Sequence, residues 1–471
     1  MPELKINGNS VTVEPGATVL AAAEKLSVDI PTLCHLKGAE PETSCMLCVV
    51  KDNASGRMIP ACSARAADGM DIDTECAEVQ SARRGILNLL LSEHTGDCEA
   101  PCRRICPAHL NTPLMLREIE RGNFESAARI AKHDLAIPAV LGYICPAPCE
   151  KGCRRGQVDQ TITIRALHRQ VAEKSQRLEV DFLNMAPNDR GLCSASRKKV
   201  AVTGSGAAGL SCAWNLRLLG YDCTVFDVSP VAGGSLRGET ALPPEVLDAE
   251  IRSLQSAGID FKLNAAAPTD GFVAMVEPEE HKLAVKAVAN GKAAARALDR
   301  RLNGIIGAGA ERFDSKIGKL RDSELQELVK NCPIDGNAEA ARCLHCDCRK
   351  PASCKLRRYA EQYGADPREF PADERKHVQL IGHNEAVVFE PGKCVKCGLC
   401  VRITKRAGEE LGLAFAGRGF NTQVTVPFGE SLQNGLRTAA AECVAACPTG
   451  ALAFMKGEES RERGQTAGLR Y

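Results

Sequence analysis

The stretch HTGDCEAPCRRIC, residues 94–106, carries one imidazole and three thiols at intervals of four residues: His94, Cys98, Cys102 and Cys106. Four-residue spacing is typical of one face of an α-helix, so buried helix residues are the simplest interpretation. Pro101 interrupts the run, and a proline inside a helix removes a hydrogen bond and clashes with the preceding turn. A proline-bent backbone that turns several thiols inward instead predicts ligation of an iron–sulfur cluster. Four-coordinate zinc is the alternative.

A second triplet follows in CPAPCEKGC, where two prolines and a glycine separate Cys145, Cys149 and Cys153. The chain holds 24 cysteines, many more than packing requires, and they are bunched. The cytosol keeps thiols reduced, so bunched thiols there indicate metal ligands rather than disulfides. Zinc sites mostly use paired CxxC knuckles, whereas both triplets have three-residue gaps, and this favours iron and sulfide.

Three further groups of thiols could bind metal. The segment RCLHCDCRKPASC predicts a four-thiolate [4Fe–4S] site, with zinc as the alternative, from Cys343, Cys346, Cys348 and Cys354. The other groups are Cys34, Cys45, Cys48 and Cys62, and Cys394, Cys397, Cys400 and Cys447, with Cys443 as an extra thiol that could compete. The scattered cysteines are interpreted as packing residues: Cys76, Cys193, Cys212, Cys223 and Cys332.

Local sequence signals predict the elements that must position these thiols. Alternating runs on either side of Asn7-Gly8 predict a tight hairpin, and ATVLAAAEKL predicts a helix after it. Residues 79–185 have mainly helical periodicity. Residues 198–228 change to a strand, a glycine turn, a helix and a second strand.

That glycine turn, TGSGAAGL, predicts a dinucleotide site. Gly204, Gly206 and Gly209 would allow a tight turn, close approach of a pyrophosphate and close packing of helix on strand. Asp227 ends the next strand, where a carboxylate suits a ribose hydroxyl.

Composition excludes several classes of function. The 60 Lys and Arg residues balance 59 Asp and Glu residues, so no strong field attracts nucleic acid or an anionic membrane. Aromatic residues make up 4%, too few for platforms that stack single-stranded bases. No apolar run approaches the roughly 18 residues of a membrane span. The first residues lack an apolar signal-peptide core, and a cytoplasmic protein is therefore expected.

Both ends of the chain resemble the large iron–sulfur subunit of bacterial NADH dehydrogenase and related hydrogenase subunits. Residues 1–78 resemble its plant-type [2Fe–2S] ferredoxin domain, which implies Cys34, Cys45, Cys48 and Cys62 as ligands. The segment LNLLLSEHTGDC resembles the part that supplies a His-plus-three-Cys [4Fe–4S] cluster, although the gaps after Cys98 differ from the family pattern. KCVKCGLCVR and ACPTGAL resemble a third cluster segment, which implies Cys394, Cys397, Cys400 and Cys447.

Residues 102–169 resemble the two-cluster domain of the glutamate synthase small subunit and of dihydropyrimidine dehydrogenase, on CRRICPAHLNTP and CPAPCEKGCRRGQVDQTITIRALHR. This resemblance implies clusters that share ligands between the two segments. One cluster would take His94, Cys98, Cys102 and Cys153. The other would take Cys106, Cys145 and Cys149, with His168 where the family has Gln or Glu.

GGSLRGETALPPEVLDAEI, with Gly233 and Gly234, resembles the flavin domain of the same family. The family's second nucleotide domain, for NADPH, is missing, and Glu277 stands where the family has an Asp that contacts the flavin. FAD binding and a vestigial nucleotide fold used as a scaffold are therefore both open.

The predicted fold class is multidomain α+β and α/β. The predicted segments are a β-grasp [2Fe–2S] ferredoxin domain (1–78), a helical two-[4Fe–4S] domain (79–185), a truncated Rossmann-like FAD domain (186–305), a Cys-rich [4Fe–4S] insert (306–375), a ferredoxin-like [4Fe–4S] domain (376–455) and a polar tail (456–471). The expected cofactors are one [2Fe–2S] cluster, about four [4Fe–4S] clusters and, if the flavin site is intact, FAD.

These resemblances imply an electron-transfer subunit of a multi-subunit, NADH-linked oxidoreductase, with its terminal active site on another chain. The implied partners are an NADH-oxidising flavoprotein (diaphorase) subunit, a small [2Fe–2S] subunit and a catalytic subunit of hydrogenase or formate dehydrogenase type. A bound flavin would make electron bifurcation conceivable, by analogy alone. The alternatives are a self-contained FAD-dependent NAD(P)H oxidoreductase and a zinc-stabilised assembly scaffold.

Overall fold

The computed structural model describes residues 1–177, 198–268, 270–304, 313–330, 339–370, 378–382 and 387–455. The predicted tail and the predicted packing residues Cys193 and Cys332 lie outside the described residues. The chain forms two compact units. The first contains residues 1–98 with the described parts of 313–330 and 347–455, and the second contains the described parts of 99–304 and 339–346. The second unit is therefore inserted into the sequence of the first.

The first unit contains most of the strands. Its strands are β1 (Glu3–Ile6), β2 (Asn9–Thr12), β3 (Val49–Asp52), β4 (Arg57–Pro60), β5 (Asp71–Asp73), β10 (Ile381–Gly382), β11 (Val387–Phe389), β12 (Ala414–Ala416), β13 (Gln423–Thr425) and β14 (Leu452–Phe454). Its helices are α1 (Val19–Lys25), α2 (Ala77–Ser92), α12 (Asp322–Lys330), α13 (Lys355–Tyr363), α14 (Leu399–Arg406), α15 (Leu432–Gly435) and α16 (Ala440–Ala446).

The N-terminal sheet confirms the predicted hairpin. Strands β1 and β2 pair antiparallel, with Ile6 opposite Asn9, and the turn residues Asn7 and Gly8 have φ values of 50° and 81°. This turn type requires positive φ at both positions, which Asn and Gly tolerate. The five strands have the order β2-β1-β5-β3-β4. Leu4, Ile6 and Ile72 face the core beneath the sheet, against α1.

The C-terminal part of the first unit has two small antiparallel sheets, β10-β11-β14 and β12-β13. Their apolar faces share one core with α14, α15 and α16, in which Ile403 and Cys443 are fully buried. Short strands of this kind leave long connecting segments, and Cys394 and Cys397 lie on one of them, while Cys400 lies in the first turn of α14.

The second unit begins with helices and continues as an α/β fold. Its helices are α3 (Pro101–Ile105), α4 (Thr112–Glu120), α5 (Phe124–Leu135), α6 (Pro138–Ile144), α7 (Pro148–Lys151), α8 (Ile164–Arg177), α9 (Ala207–Leu218), α10 (Pro244–Ser256) and α11 (Ala284–Leu302). Its strands are β6 (Lys199–Thr203), β7 (Asp222–Asp227), β8 (Ile259–Leu263) and β9 (Ala274–Val276).

Prolines explain the short helices around the cysteines. Pro101, Pro138 and Pro148 each stand in the first turn of a helix, where a missing N–H costs nothing and the fixed φ is helical. Consequently α3 and α7 have five and four residues, and neither Cys triplet forms one regular helix. This confirms the expectation drawn from the prolines.

The α/β part confirms the predicted strand, glycine turn, helix and strand as β6, α9 and β7. Its four strands are parallel, in the order β8-β7-β6-β9. Trp214 on α9 is 1% exposed, and Cys212 and Cys223 are buried in the same core.

Buried charges join the α/β part to the helical part of the second unit. Lys132 on α5 pairs with Glu250 on α10 at 2.6 Å, and both side chains are 2% exposed. Lys292 on α11 pairs with Asp134 at the end of α5, at 3.1 Å. No helix in the described ranges is both long enough and apolar enough to span a lipid bilayer.

Candidate metal centres and the nucleotide fold

The N-terminal thiols form two close pairs. A hydrogen bond from Cys45 lowers the pKa of the Cys34 thiol, and one from Cys48 lowers the pKa of Cys62. The four side chains also lie close enough for the charge of Cys34 to raise the pKa of Cys48. The two irons of a [2Fe–2S] cluster each take two thiolates, so two adjoining pairs match what this cluster needs.

The C-terminal thiols line one cavity. Cys394, Cys397, Cys400 and Cys447 lie on its wall with apolar residues that include Phe389 and Leu452. Burial raises the pKa of Cys400 well above its usual value, and Cys447 and Cys394 raise it further. Cys443 is not part of that wall; its thiol donates to the carbonyl of Cys400 at 3.8 Å.

A third group in the first unit contains Cys98, Cys348 and Cys354. Burial raises the pKa of Cys98 to about 12, and the charge of Cys348 adds to the rise. Cys354 is affected in the same way by burial, then by Cys348 and Cys98. The Ser315 N–H donates to Cys98 Sγ and the Arg357 N–H to Cys354 Sγ, both at 3.4 Å. His94 follows the end of α2, four residues before Cys98.

A fourth group, in the second unit, surrounds Cys102 on α3. Burial raises the pKa of Cys102 most, followed by the charges of Cys343, Cys346 and Cys153. Cys153 follows α7, which packs against α3, and Cys343 follows a short helical turn at Glu339–Arg342. Three separated segments therefore bring four thiols together.

The fifth group is Cys106, Cys145 and Cys149, also in the second unit. Burial raises the pKa of Cys149, and the charges of Cys106 and Cys145 raise it further. His168 on α8 is buried, and its Nδ1 is 3.1 Å from the carbonyl of Pro138. Burial lowers the pKa of His168 to about 4. The ring is therefore neutral near pH 7, with Nδ1 as the donor and Nε2 as the lone-pair nitrogen.

Three of the groups contain the same backbone turn. Two residues after Cys145, Cys343 and Cys394, a non-glycine residue has positive φ: 51° at Ala147, 45° at His345 and 54° at Lys396. In each case its N–H donates to the sulfur of the cysteine two positions earlier, at 3.4 Å. Positive φ is unfavourable for these residues, so the turn needs compensation. Amide donors aimed at sulfur stabilise thiolate charge, as metal–thiolate sites require.

The structure regroups the thiols of two predicted clusters. Cys98 does not lie with Cys102 and Cys153 but in the first unit, with Cys348 and Cys354. Cys343 and Cys346 lie in the second unit with Cys102 and Cys153, so the predicted four-thiolate group 343/346/348/354 is divided. The physical reason is that the chain passes from one unit to the other between residues 98 and 99 and again between 346 and 347.

Within the described residues, no three His, Cys, Asp or Glu side chains converge on one metal-ion position. A cluster differs from a single ion in this respect because its thiolates are distributed over several irons. Two observations define the five groups of thiols: the thiols of a group shift each other's pKa values, and backbone N–H groups donate to several of their sulfur atoms. No group is defined by side chains that point at one metal position.

Neighbouring thiol groups are close to each other inside each unit. In the first unit, the charge of Cys34 raises the pKa of Cys397, and that of Cys447 raises the pKa of Cys354. In the second unit, Cys149 raises the pKa of Cys102. In the first unit, the C-terminal group therefore lies next to both the N-terminal group and the Cys98 group. In the second unit, the Cys102 group lies next to the Cys106 group.

The glycine turn has the backbone of a dinucleotide site, but a carboxylate of the chain itself occupies the position where a phosphate would bind. Gly204 has φ +87°, and a Cβ at Gly209 would lie 1.8 Å from the carbonyl oxygen of Gly204. The carboxylate of Glu280, however, accepts the Ala208 N–H at 2.9 Å. Asp227 accepts hydrogen bonds from Ser205 and Ser229. With the Glu280 carboxylate in this position, the turn has no room for the phosphates of a dinucleotide such as FAD, and Glu280 rather than Glu277 is the acid that reaches the turn.

Three family models match separate parts of the chain. Residues 2–76 match a 2Fe-2S iron-sulfur cluster binding domain, and residues 91–180 match dihydropyrimidine dehydrogenase domain II, 4Fe-4S cluster. Residues 202–263 match an NAD(P)-binding Rossmann-like domain. The chain therefore combines segments similar to a 2Fe-2S domain, a 4Fe-4S domain and an NAD(P)-binding Rossmann-like domain.

Particular relatives are subunits of NAD(P)-linked dehydrogenases and oxidoreductases. The chain is 36% identical over 189 residues to NADP(+)-dependent formate dehydrogenase subunit beta of Moorella thermoacetica, covering 36% of this chain and 27% of that protein. It is 34% identical over 189 residues to the NAD-dependent dihydropyrimidine dehydrogenase subunit PreT homolog of Salmonella typhi, covering 38% of this chain and 44% of that protein. It is 42% identical over 98 residues to an NADH-quinone oxidoreductase subunit of Rhizobium meliloti, covering 21% of this chain and 12% of that protein.

The chain thus spans less than half the length of these curated relatives. A solved structure of an NAD+-reducing [NiFe]-hydrogenase in the H2-reduced state aligns with 100% of this chain and 90% of that chain, with a TM-score of 0.40 and 13% identity. A likeness this distant supports no inference about fold or function.

Proposed function

We propose that this chain is an electron-transfer subunit of an NAD(P)H-linked oxidoreductase complex and holds one [2Fe–2S] and four [4Fe–4S] clusters. Its partners would be an NADH-oxidising flavoprotein (diaphorase) subunit with a small [2Fe–2S] subunit, and a catalytic subunit of formate dehydrogenase or hydrogenase type. The similarity to a formate dehydrogenase beta subunit and to a subunit of an NADH-quinone oxidoreductase supports this assignment.

The recurring turn with an N–H···S bond is the observation that carries the proposal. A residue in the left-handed region is found two positions after Cys145, Cys343 and Cys394, in three different thiol groups. A cysteine that only fills space in the core is a neutral thiol, and its stability does not require a backbone N–H directed at its sulfur. A cluster thiolate does, because hydrogen bonds to sulfur hold its charge and tune the potential.

The proposed ligand sets follow the five thiol groups. The [2Fe–2S] cluster would take Cys34, Cys45, Cys48 and Cys62. The four [4Fe–4S] clusters would take Cys394, Cys397, Cys400 and Cys447; His94, Cys98, Cys348 and Cys354; Cys102, Cys153, Cys343 and Cys346; and Cys106, Cys145, Cys149 and His168.

His168 is suited to complete the last set through Nε2. A metal-bound histidine normally donates its other ring N–H to a carboxylate or backbone carbonyl, which fixes the tautomer. The Nδ1 of His168 has such a partner in the Pro138 carbonyl, and burial keeps the ring neutral. An imidazole ligand in place of thiolate removes negative charge and raises a cluster's potential.

When bound, such clusters supply one-electron transfer. The chain itself would hold them, bury the thiolates away from water and set their potentials with charges and amide donors. Buried cations adjoin two of the groups. The charge of Lys393 lowers the pKa of Cys348, and the charge of Lys292 lowers that of Cys106, although burial raises both.

Anaerobic metal analysis tests the proposal directly. Purified protein should contain about 18 irons and a matching amount of acid-labile sulfide per chain if every site fills. Reduced samples should give a [2Fe–2S] EPR signal together with [4Fe–4S] signals. Colourless protein without sulfide would refute electron transfer, and zinc in place of iron would favour the scaffold alternative.

The self-contained FAD-dependent NAD(P)H oxidoreductase remains a second candidate because residues 202–263 match the Rossmann-like model and the PreT homolog is a relative. Glu280 at the phosphate position argues against it. The two candidates differ in one assay. Dye reduction by the isolated chain with NADH or NADPH would support the second candidate, whereas activity only after addition of a diaphorase subunit supports the first.

Partner identity is tested by the native complex. A tagged chain expressed in its own host and isolated without oxygen should bring down a flavoprotein that oxidises NADH and a second oxidoreductase subunit. A chain that elutes alone at native expression level would contradict a stable complex.

A further inference from the structure

The α/β part of the second unit contains a phosphate cradle that the chain itself fills. The N-terminus of α9 has a strand before it and three glycines around it, an arrangement that receives the pyrophosphate of a dinucleotide through backbone N–H groups. The feature that sets this cradle apart is an acidic side chain from a different segment, Glu280, which follows β9 and precedes α11.

The carboxylate of Glu280 lies where a phosphate oxygen would bind. Its Oε1 accepts the N–H of Ala208, in the first turn of α9, at 2.9 Å. A Cβ built on Gly206 would lie 2.1 Å from the same oxygen, so the carboxylate uses the space that the missing side chain of Gly206 leaves open. An anion at a helix N-terminus is favoured by the unpaired amides and the helix dipole.

The acid that would bind a ribose is also engaged. Asp227 Oδ2 accepts the N–H of Ser205 at 2.8 Å, and its hydroxyl at 2.5 Å, while Oδ1 accepts the N–H of Ser229 at 2.8 Å. The Ser205 hydroxyl in turn accepts the N–H of Gly233 at 3.0 Å. This network ties the Gly233–Gly234 loop to the glycine turn.

We infer that Glu280 is an internal substitute for the dinucleotide phosphate, so that the cradle binds FAD or NAD(P)H only when this carboxylate is removed. Like charges cannot share the cradle, and a dinucleotide must therefore displace Glu280 and break its bond to Ala208. The domain keeps its dinucleotide-binding fold while its anion site is satisfied from within. The inference concerns this cradle alone and does not depend on which thiols hold clusters.

The test compares Glu280→Ala with Glu279→Ala in the full chain, purified anaerobically with its metal content intact. Glu279 is exposed, as Glu280 is, but it accepts the Asn290 side-chain N–H through its backbone carbonyl. The control therefore removes the same charge without opening the cradle. FAD and NADH are titrated separately, and binding is followed by flavin fluorescence and by calorimetry.

Wild type and Glu279→Ala should bind neither nucleotide measurably, whereas Glu280→Ala should bind at least one of them at least tenfold more tightly. Deuterium exchange of the Ala208 amide should also accelerate in Glu280→Ala and slow again when nucleotide is added. Glu280→Gln, which keeps the size without the charge, should fall between the two.

Wild-type protein that carries stoichiometric FAD, or that binds NADH as tightly as Glu280→Ala, would overturn the inference. Equal affinities of Glu280→Ala and Glu279→Ala would do the same. Unchanged far-UV circular dichroism and unchanged Trp214 fluorescence would show that the variants are folded, and the exchange rate of Ala208 reports on the contact even without nucleotide.

Discussion

The buried pair Lys132–Glu250 provides a quantitative test of how the α/β part supports the cluster-bearing helices. The two charges are 2.6 Å apart, and both side chains are 2% exposed. The second oxygen of Glu250 accepts the N–H of Ala139 at 2.6 Å, at the start of α6. Helix α6 ends immediately before Cys145. The substitution Glu250→Gln keeps the volume but leaves the Lys132 ammonium buried without its carboxylate.

Breaking a buried ion pair by removing one partner costs about 3–5 kcal/mol, because the remaining charge keeps its desolvation penalty. With a slope of about 4 kcal/mol per molar guanidinium for a domain of this size, the unfolding midpoint should fall by roughly 1 M. Adding Lys132→Met to Glu250→Gln should restore most of the loss, because no ammonium is then buried and the glutamine carbonyl can still accept the Ala139 N–H.

The only tryptophan of the chain reports on this region. Trp214 is 1% exposed, and Lys132 Nζ lies 5.6 Å from the centre of its ring. Guanidinium unfolding of the anaerobic protein is followed by Trp214 fluorescence, with iron release measured in parallel. Glu245→Gln is the control, since Glu245 is an exposed acid on the same helix and its loss should cost less than about 1 kcal/mol.

The reasoning would be refuted if Glu250→Gln moved the midpoint no further than Glu245→Gln. It would also fail if the double variant Lys132→Met with Glu250→Gln were less stable than Glu250→Gln alone. Either result would mean that the buried pair does not brace α5 and α6 against the α/β part.

Three further outcomes are expected. Cys447→Ser should abolish one [4Fe–4S] EPR signal, whereas Cys443→Ser should retain it, because the Cys443 thiol donates to the Cys400 carbonyl and is not part of the cavity wall. Loss of the signal in both variants would contradict the choice of Cys447 over Cys443 as the ligand. Lys393→Met should lower the potential of the Cys98 group in a redox titration, because it removes the buried positive charge near Cys348 and leaves the Glu390 carboxylate without this partner. The expected shift is on the order of 100 mV, the size of a nearby unit charge at an effective dielectric constant of about 20, whereas exposed Lys405→Met should leave the potential unchanged. Burial depresses the pKa of His168 from 6.5 to about 4, and ligation through Nε2 would hold the ring neutral at still lower pH. Its share of the folding stability is therefore complete above pH 6.5 and declines as the pH falls below that value. Denaturant midpoints of His168→Gln should lose that decline, and an identical pH profile would show that the pKa of His168 is the same in the folded and unfolded protein.

Local signals were sufficient for the elements that position the thiols. The Asn7-Gly8 hairpin needs only two residues that accept positive φ, and the proline-started helices need only the position of the proline. The β6-α9-β7 unit has its own glycine turn. Each of these depends on residues adjacent in sequence, so a single sequence predicts them.

The grouping of the thiols depends on long-range contacts, which the spacing of cysteines along the sequence does not contain. Cys346 and Cys348 are separated by one residue but belong to separate units, while Cys98 and Cys348 share a unit across about 250 residues. One feature of the sequence does indicate the division of the group from Cys343 to Cys354. Five residues separate Cys348 from Cys354, whereas only three separate neighbouring cysteines in the two triplets. For Glu280 there was no signal, since three acids stand at 277, 279 and 280 and only the path of the loop after β9 selects one.

The insertion also determines the order in which the sites can form. The N–H of Cys348 donates to the carbonyl of Cys98 at 3.4 Å, so both ends of the inserted segment meet in the first unit. Residues 313–330 return to the first unit, where the Ser315 N–H donates to Cys98 Sγ, so the longest inserted loop has about 215 residues. Closing a flexible loop of that length would cost about 5 kcal/mol of chain entropy, whereas a folded insert whose ends are already close removes most of that cost. The thiol group of Cys98, Cys348 and Cys354 should therefore depend on the second unit, unlike the thiols within residues 34–62. In Glu250→Gln near its midpoint, EPR should show the signal of the Cys98 group disappearing while the [2Fe–2S] signal persists; simultaneous loss of both would mean that the first unit closes without help from the inserted one.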